Sequence, residues 1–424
     1  MRSLYTLLIY LATPLVLVYL LVRGLRSRDY LKRWRERFGR FDPPAKPGGI
    51  VVHAVSMGEV NAASMMVREL ARRFPGDPLC LTTLTPTGSA RVRELFGESV
   101  FHVYVPLDLP GSVRRFLDRV RPRLLIIMET EIWPNLYHEA TARGIPILIV
   151  NARISEHSIG SYRRLRGLTG AALRQVAAIG AQSPLDRERL LDIGAMPEQL
   201  TVTGNMKFDV RVPPSLAEQG EAIRAAWGTH RPVLVAGSTH EGDERALLAA
   251  FSRLLSAVPD ALLVLVPRHP ERFTRAAQLG RQAGLTVALR SAGIVCPAEV
   301  QCYVVDAMGE LMRFYAACDI AFVGGSLEPI GGHNVLEPAA LSKPVLIGPH
   351  TGNFAEITQQ MLDCGAALRG ADAAALEAAL LRLFADPDER DRMGRAGVGL
   401  VSSGQGAVER TLELIEAQLT PTAG

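Results

Sequence analysis

Short runs of Val, Ile and Leu alternate with longer helical patterns through most of this 424-residue chain. In the first half such runs occupy residues 50–55, 79–83, 124–128 and 145–150, and a helical pattern over 60–74 follows the first of them. A strand that is apolar at every position is buried on both faces, as in a parallel sheet covered by helices. The alternation therefore predicts a doubly wound α/β fold.

A second series of the same kind begins after a break at Val212-Pro213-Pro214. Its strand candidates lie at 233–236, 261–266, 304–305, 320–323 and 345–347. We therefore predict two Rossmann-like domains, residues 41–210 and 211–424, after an N-terminal segment of residues 1–40. Ligands of such sheets bind beyond the carboxyl ends of the strands, so a two-domain form is expected to hold its site in a cleft between the domains.

The N-terminal segment carries no charge from Leu4 to Val22. At ~1.5 Å per residue, a helix of this length can cross the ~30 Å hydrocarbon core of a bilayer. A cleaved signal peptide has a shorter apolar stretch and a small-residue cleavage site, whereas an Arg-rich run follows here. Tyr5, Tyr10 and Tyr19 also suit a helix that lies in the membrane interface. A spanning anchor and an interfacial helix therefore both remain open.

The net charge of +4 comes from one short segment. Residues 23–40 hold eight Lys or Arg and two acidic residues, and with Arg2 counted, residues 41–424 sum to −3. A mildly acidic body argues against nucleic acid as a partner. Basic residues after the apolar stretch favour a body on the cytoplasmic side of a membrane and attract anionic lipid.

The sequence predicts neither a metal nor a cofactor. The five cysteines lack CxxC spacing and any Cys/His metal pattern, so we expect ordinary core residues of a protein in a reducing compartment. Asp386-Pro387-Asp388 has the form of the DxD motif of some sugar transferases, but it lies in a helix connector, where capping explains it.

Glu59 is the candidate catalytic residue of the first half. The motif His53-Ala-Val-Ser56-Met-Gly58-Glu59 ends a predicted strand and begins a helix. A carboxylate in a first helical turn is stabilised by the helix dipole and needs no other role. At a strand end that faces the cleft, it is also a candidate general base, because an ionised carboxylate accepts a proton from an attacking hydroxyl.

Glu129 and Glu131 follow another predicted strand, beside Trp133. Two acids next to an aromatic ring suit the binding of sugar hydroxyls. Paired carboxylates also serve in glycoside hydrolysis. Capping of the next helix explains the same spacing, so the sequence leaves these alternatives open.

Two motifs of the second half and one lysine before it are candidates for anion binding. Residues 237–244, which include Ser238, hold small and hydroxyl side chains that leave backbone N–H groups free for a phosphate, although an ordinary helix cap has the same composition. Arg268 follows a predicted strand, where a guanidinium can bind phosphate with two hydrogen bonds. Lys207, near the end of the first half, is a candidate for anion contact.

The strongest local signal is the loop 324–338, which holds four glycines before a helix. Glycines let the backbone approach a phosphate, and the helix dipole favours the anion. Glu337 suits a ribose diol, whereas His333 is expected to be a packed turn residue. In an earlier loop, the amides of Met308 and Gly309 are available to a nucleotide, and the Met308 side chain is predicted to be buried.

In order along the chain, eight motifs resemble the bacterial 3-deoxy-D-manno-octulosonic acid (Kdo) transferases of lipopolysaccharide synthesis. They are HAVSMGEV, METEIWPN, NARIS, TGNMKFD, STHEGDE, VPRHPERF, MGELM and GGSLEPIGGHNVLEP. The resemblance implies a GT-B fold of two Rossmann-like domains facing a cleft. It also implies inverting, metal-independent transfer of Kdo from CMP-Kdo to the lipid A precursor, lipid IV(A). Glu328 and Pro329 depart from the family pattern in the centre of the glycine loop.

The resemblance also assigns roles to residues of this chain. Glu59 would accept the proton of the acceptor's primary hydroxyl, and Glu337 would bind the ribose. The donor CMP-Kdo would contact Pro267, Arg268, Met308, Gly309, Glu310, Asn334, Val335, Leu336 and Glu337, with Ser238 and Lys207 as further candidates. Because the acceptor is a lipid, the resemblance implies a protein of the cell inner membrane, held by a single-pass N-terminal anchor with its catalytic body on the cytoplasmic side.

Two other classes of protein would share part of this pattern. A GT-B nucleotide-sugar enzyme of another kind, such as a 2-epimerase, would use a similar glycine loop without needing a membrane anchor. A non-catalytic, membrane-tethered sugar-nucleotide sensor would keep the second-half pocket and could dispense with Glu59.

Overall fold

A computed structural model describes residues 1–419, apart from the side chain of Arg26. The described chain forms two compact units, residues 1–209 with 405–419, and residues 210–404. Each unit is built on one sheet of seven parallel strands.

The first strand of the first unit lies inside its sheet, with neighbours on both sides. Its strands are β1 (Ile50–His53), β2 (Leu79–Thr83), β3 (Phe101–Tyr104), β4 (Leu124–Met128), β5 (Ile147–Ala152), β6 (Ala178–Ala181) and β7 (Leu200–Val202). Its helices are α1 (Arg2–Arg26), α2 (Met57–Arg73), α3 (Pro86–Phe96), α4 (Pro110–Val120), α5 (Pro134–Thr141), α6 (Glu156–Arg164), α7 (Arg166–Leu173) and α8 (Pro184–Asp192). The strand order is β3-β2-β1-β4-β5-β6-β7. The strand order reverses between β1 and β4, and sheets of this kind bind ligands at that point.

Strand β4 shows why the central strands are apolar throughout. Leu125 and Ile127 belong to the core on one face of the sheet, and Leu124, Ile126 and Met128 belong to the core on the other. All five side chains are buried. Helices cover both faces, so no polar side chain is needed along the strand.

The second unit is also built on seven parallel strands, but in a different order along the chain. Its strands are β8 (Val233–Thr239), β9 (Leu262–Pro267), β10 (Val287–Leu289), β11 (Cys302–Val304), β12 (Ile320–Val323), β13 (Val345–Ile347) and β14 (Ala367–Arg369). Its helices are α9 (Ser215–Trp227), α10 (Glu241–Leu254), α11 (Phe273–Gln282), α12 (Leu311–Ala317), α13 (Leu336–Ala340), α14 (Ala355–Asp363), α15 (Ala373–Ala385) and α16 (Pro387–Gly404). The strand order is β10-β11-β9-β8-β12-β13-β14, with the switch between β8 and β12.

The last helix, α17 (Ala407–Leu419), belongs to the first unit. Its side chains Leu412 and Ile415 lie in the core that also contains β1 and β4. The Asp209 carboxylate accepts the N–H groups of Gly406 and Val408, both at 2.6 Å. The predicted boundary 211–424 is therefore wrong for this helix, because the chain returns to the first unit after residue 404.

The N-terminal helix α1 is apolar and long enough to cross a membrane. Few of its residues are buried within the protein, and large apolar side chains such as Leu4, Leu11 and Leu15 are more than 60% exposed. Four of the five cysteines are buried, as predicted, and Cys364 is exposed.

Candidate active site

Glu59 lies in the first turn of α2, directly after β1 and therefore at the switch point of the first sheet. The Ser56 hydroxyl accepts the Glu59 N–H at 3.4 Å, and this cap explains why the helix begins there. The Glu59 carboxylate accepts the Val55 N–H at 2.8 Å and the Ser56 hydroxyl at 3.2 Å. The side chain thus has a structural role at the helix start as well as a position at the ligand edge of the sheet.

The surroundings of Glu59 make its carboxyl less acidic than usual. Burial raises its pKa to about 7, although the Val55 N–H works in the opposite direction. The negative charges of Glu129 and Glu131 raise the pKa further. Near neutral pH the carboxyl is therefore present in both protonation states, as suits a group that takes up a proton and later releases it.

Glu129 and Glu131 join Glu59 because β4 is hydrogen-bonded to β1. Burial raises the pKa of Glu131 to about 7 too, and the charge of Glu129 adds to this effect. The first N–H groups of the following helix, α5, are bound by a different acid. Asp108 accepts the Asn135 N–H at 2.9 Å and the Leu136 N–H at 2.7 Å. Capping of α5 therefore does not account for the glutamates.

Three non-glycine residues with positive φ lie at strand ends beside the candidate site residues. Glu129 has φ 55°, Asn151 φ 53° and Ser238 φ 54°. They lie at or near the carboxyl ends of β4, β5 and β8. A left-handed backbone conformation costs a non-glycine residue ~1–3 kcal/mol, and residues in this conformation are concentrated at sites that bind ligands.

The predicted donor residues of the second unit lie at the ends of adjacent strands. Ser238 is near the end of β8, Arg268 follows β9, and Gly324 follows β12. The Arg268 N–H donates to the Thr239 carbonyl at 3.0 Å, which fixes the backbone after Pro267. A Cβ on Gly324 would lie 2.5 Å from the Ser238 carbonyl oxygen, so the two loops meet only because this residue is glycine.

Arg268 is close enough to both His333 and Glu337 to change their acidity. Burial lowers the pKa of His333 to about 4, and the positive charge of Arg268 lowers it further. Burial raises the pKa of Glu337, whereas its hydrogen bond from Asn334 and the charge of Arg268 lower it. The glycine loop, the guanidinium and the carboxyl predicted to bind the donor are thus brought together.

The last residues of the loop 324–338 differ in whether they hydrogen-bond through a side chain or pack in the core. Asn334 donates to Glu337 at 3.2 Å, and its side-chain oxygen accepts the Leu336 N–H at 3.1 Å, which begins α13. The Val335 and Leu336 side chains are fully buried in the protein. Their backbone atoms are buried as well.

The Met308 side chain is 53% exposed, so the prediction that it is buried is wrong. Met308 precedes Gly309, whose φ of 81° turns the chain before α12. After this turn, the first apolar side chain that packs against the core is that of Leu311. Glu310 forms ion pairs with Arg290 at 3.0 Å and Arg313 at 2.9 Å. The exposed Met308-Gly309 turn is the part of this loop that a ligand can reach.

The N-terminus of α10 does not offer the free amides considered for residues 237–244. The Asp243 carboxylate accepts the His240 N–H at 3.0 Å, and Glu328 accepts the Gly242 N–H at 3.1 Å. The helix-cap interpretation is therefore correct here. It also explains the acid in the variable centre of the glycine loop, because Glu328 ties that loop to α10.

The sequence motifs did not indicate that two histidines lie against each other beside Arg268. The Nε2 atoms of His240 and His333 are 3.1 Å apart, and their rings stack with centroids 5.3 Å apart. A third ring, that of His269, meets His240 edge-on. Each of these residues follows one of the adjacent strands β8, β9 and β12, so the strand order would have revealed the cluster.

Lys207 is part of the first unit, in a short 3-10 turn of Met206–Phe208, whereas the other predicted donor contacts lie in the second. Within residues 1–419, no group of three or more His, Cys, Asp or Glu side chains is arranged to hold a metal ion. Asp386 accepts the Glu389 N–H at the start of α16, so its predicted capping role is confirmed.

Two Rossmann-like sheets, each with its candidate residues at the switch point, define a protein of the GT-B class. Residues 32–210 match the family model of 3-deoxy-D-manno-octulosonic-acid transferase (kdotransferase), and residues 295–398 match that of glycosyl transferases group 1. The UDP-GlcNAc 2-epimerase from Neisseria meningitidis bound to UDP-GlcNAc has a TM-score of 0.56 at 15% identity, over 87% of this chain and 100% of its own. At that identity the likeness shows the fold alone.

Whole-length relatives define the family more narrowly. The chain is 40% identical over 423 residues to the 3-deoxy-D-manno-octulosonic acid transferase of Haemophilus influenzae, which covers 99% of both chains. It is 38% identical over 432 residues to the enzyme of the same name from Bordetella pertussis, covering 98% of this chain and 99% of the relative. The chain therefore belongs to the 3-deoxy-D-manno-octulosonic acid transferases, and it is a glycosyltransferase.

Proposed function

We propose that this protein transfers Kdo from CMP-Kdo to a lipid A precursor, lipid IV(A), with inversion at the anomeric carbon. Membership of the Kdo transferase family supports the transferred sugar. The observation that carries the chemistry is the buried Glu59 carboxyl, held by Val55 and Ser56 at the switch point of the first sheet with a pKa of about 7.

The reaction needs a proton acceptor for the attacking hydroxyl. Its oxygen forms a bond to the anomeric carbon of Kdo from the face opposite the leaving group. The bond from that carbon to the CMP oxygen breaks, and CMP leaves with the electron pair. Glu59 takes the hydroxyl proton as the oxygen becomes acidic during attack, which requires an ionised carboxylate.

The charge that develops on the leaving CMP needs stabilisation. Arg268 supplies a guanidinium suited to a phosphate, and the exposed turn around Gly309, which has a positive φ, supplies backbone N–H groups. Glu337 lies in the first turn of α13 and would accept hydrogen bonds from the ribose hydroxyls. The remaining proposed CMP-Kdo contacts are Pro267, Met308, Glu310, Asn334, Val335 and Leu336, with Ser238 and Lys207 as further ones.

We assign acceptor binding to the first unit. Glu129 and Glu131 stand beside Glu59 and can accept hydrogen bonds from sugar hydroxyls, and Trp133 adds an apolar ring surface. The acceptor is an anionic lipid, so the enzyme would work at the cytoplasmic face of the inner membrane. The apolar helix α1 and the basic residues after it support that location.

The direct test is to incubate purified protein with CMP-Kdo and a tetraacyl lipid A precursor and to analyse the lipid by mass spectrometry. A mass increase of one or more Kdo residues supports the proposal and counts the units added. An epimerase would change the sugar nucleotide without changing the lipid, and a sensor would bind CMP-Kdo and change neither. Either result would overturn the proposal.

A further inference from the structure

The first turn of α1 is bound to the body of the first unit. The Tyr5 hydroxyl donates to the Asp108 carboxylate at 2.9 Å, and the Thr6 hydroxyl and Arg2 guanidinium donate to the Asn135 side-chain oxygen at 2.9 and 3.3 Å. Asp108 and Asn135 are almost fully buried. Asn135 lies in the first turn of α5, and Asp108 accepts the N–H groups with which that helix begins. The first turn of α1 therefore binds to ordered side chains at a defined site.

The chain after α1 is bound to the same unit. Arg33 donates to the Ser89 hydroxyl at 2.8 Å and to the His102 carbonyl at 2.9 Å. The Leu107 N–H donates to the Arg37 carbonyl at 2.8 Å. Leu107 precedes Asp108, so the first turn of α1 and the segment after the helix are bound at neighbouring residues of one loop.

These contacts are incompatible with a helix that crosses the bilayer. A helix of 25 residues is about 37 Å long, and crossing would put its two ends on opposite sides of a ~30 Å hydrocarbon core. Arg2, Tyr5 and Thr6 would then be separated from Asp108 and Asn135 by the membrane. Contacts to the body at both ends place both ends on one side.

Exposure along α1 follows the same geometry. The less exposed positions recur at helical spacing along one face, at residues 2, 5, 6, 9, 12, 13, 17, 20 and 24. Leu4, Leu7, Leu8, Leu11, Leu15, Val18, Leu21 and Val22 are 48–72% exposed. One stripe of the helix is shielded over its whole length, and the remaining apolar surface is open, as in a helix that lies in the interface.

The basic segment divides between structure and surface. Arg37 is buried with its guanidinium over the Tyr104 ring, and Arg33 is held by Glu36 at 2.6 Å. The other basic residues between positions 28 and 40 are exposed: Arg28, Lys32, Arg35 and Arg40. These four complement the anionic head groups that border the acyl layer of a membrane.

From these contacts we propose that α1 lies in the plane of the cytoplasmic leaflet, with both ends on the cytoplasmic side, rather than crossing the bilayer. The exposed apolar face of α1 enters the acyl region at the surface of an anionic leaflet. The hydrogen bonds from the first turn of α1 to Asp108 and Asn135 then hold the body of the first unit next to that leaflet. Asn135 follows Trp133 in the chain, so the proposed acceptor residues are attached to the segment that meets the lipid. The proposal rests on the membrane location proposed above.

The test is the side from which Ser3 is reached. Ser3 is exposed and has no proposed catalytic role. The full chain carrying Ser3→Cys with Cys364→Ser is expressed, checked for Kdo transfer, and treated with a membrane-impermeant maleimide in spheroplasts and in inverted inner-membrane vesicles. The parent protein, whose exposed Cys364 lies in the body, is the matched control for the cytoplasmic side.

Labelling of Ser3→Cys only in inverted vesicles, with the same side preference as Cys364, supports the in-plane helix. Labelling in spheroplasts would show that the N-terminus crosses the membrane and would overturn it. Protein in the soluble fraction would instead overturn the membrane location itself. Independently, benzoylphenylalanine in place of Tyr5 is expected to cross-link to the Asp108-containing peptide, and cross-linking to lipid alone would contradict the docked first turn.

Discussion

At the residue scale, the chemistry depends on acids whose surroundings differ. Burial and the neighbouring carboxylates raise the pKa of Glu59 to about 7, whereas hydrogen bonds to three Arg side chains lower that of the exposed Glu241 to about 2. The sequence identified Glu59 by its place after a strand, but not its changed acidity. That change depends on Glu129 and Glu131, which are distant in sequence and become neighbours because β1 pairs with β4.

The first prediction concerns pH. Glu59 must be ionised to accept a proton, so kcat/KM for Kdo transfer is expected to rise about tenfold per pH unit below 7 and to level off above it. Donor affinity measured over the same range serves as the control for effects on binding. A transfer rate that stays flat or falls between about pH 6 and 8 would contradict Glu59 as the base.

The second prediction concerns the donor. Arg268→Ala is expected to weaken CMP binding about tenfold or more, because a charge-assisted pair to phosphate is lost, and Arg268→Lys is expected to restore only part of it. Isothermal titration with CMP measures both. Arg245→Ala is the matched control, since Arg245 forms an exposed pair with Glu241 in the same unit. Equal CMP affinity for Arg268→Ala and the parent protein would remove Arg268 from the site.

At the element scale, the glycine loop is held in place by the helix beside it. Asp243 is fully buried in α10, and its carboxylate accepts the N–H groups of His240 at 3.0 Å, Gly325 at 2.6 Å and Leu327 at 3.1 Å. The sequence singled out the loop by its glycines but could not show this tie, because residues 243 and 325 are brought together by the pairing of β8 with β12.

The third prediction follows from that tie. Asp243→Ala leaves the N–H of buried Gly325 and those of half-buried His240 and Leu327 without this acceptor, so the free energy of unfolding is expected to fall by about 3 kcal/mol and CMP affinity to fall with it. Urea unfolding and CMP titration measure the two effects. Asp243→Asn, which keeps one acceptor oxygen, is expected to lie in between. Unchanged CMP affinity in a folded Asp243→Ala protein would show that the loop does not need this support.

The same scale shows where sequence patterns work. The central strands β4 and β12 are apolar throughout and were predicted with correct bounds, whereas the predicted bounds of β1, β5, β8 and β9 differ from the observed ones by one to three residues. Edge strands such as β3, β7, β10 and β14 were not predicted, and β7 and β14 each contain exposed residues. An edge strand has one neighbour and less burial, so its sequence carries little of the apolar signal.

At the scale of the whole molecule, each unit is built on one sheet of seven parallel strands, and the last described helix returns to the first unit. Helix α17 adds Leu412 and Ile415 to the first core, and Arg73 pairs with Glu416 at 2.9 Å. The amphipathic pattern of residues 407–419 is typical of a helix but does not indicate the sheet on which it packs. Its place depends on Asp209, which binds residues 406 and 408 at sequence separations of 197 and 199 residues.

The fourth prediction tests that closure. Leu412→Ala removes a fully buried side chain and is expected to destabilise the first unit by about 2–5 kcal/mol. Hydrogen exchange should then accelerate in β1 and β4 and remain unchanged in β8 and β9. Leu380→Ala, in the core of the second unit, is the matched control with the reverse pattern. Faster exchange in the second unit alone for Leu412→Ala would contradict the assignment of α17.

The most direct measurement compares Kdo transfer and donor binding in Glu59→Gln. Transfer from CMP-Kdo to the tetraacyl lipid A precursor is followed by mass spectrometry, and CMP affinity is measured on the same preparation. Because the amide keeps the shape of the side chain but cannot take up the proton, we expect a rate loss of about 100-fold or more with CMP affinity unchanged. Ordinary turnover by Glu59→Gln would contradict Glu59 as the proton acceptor in Kdo transfer.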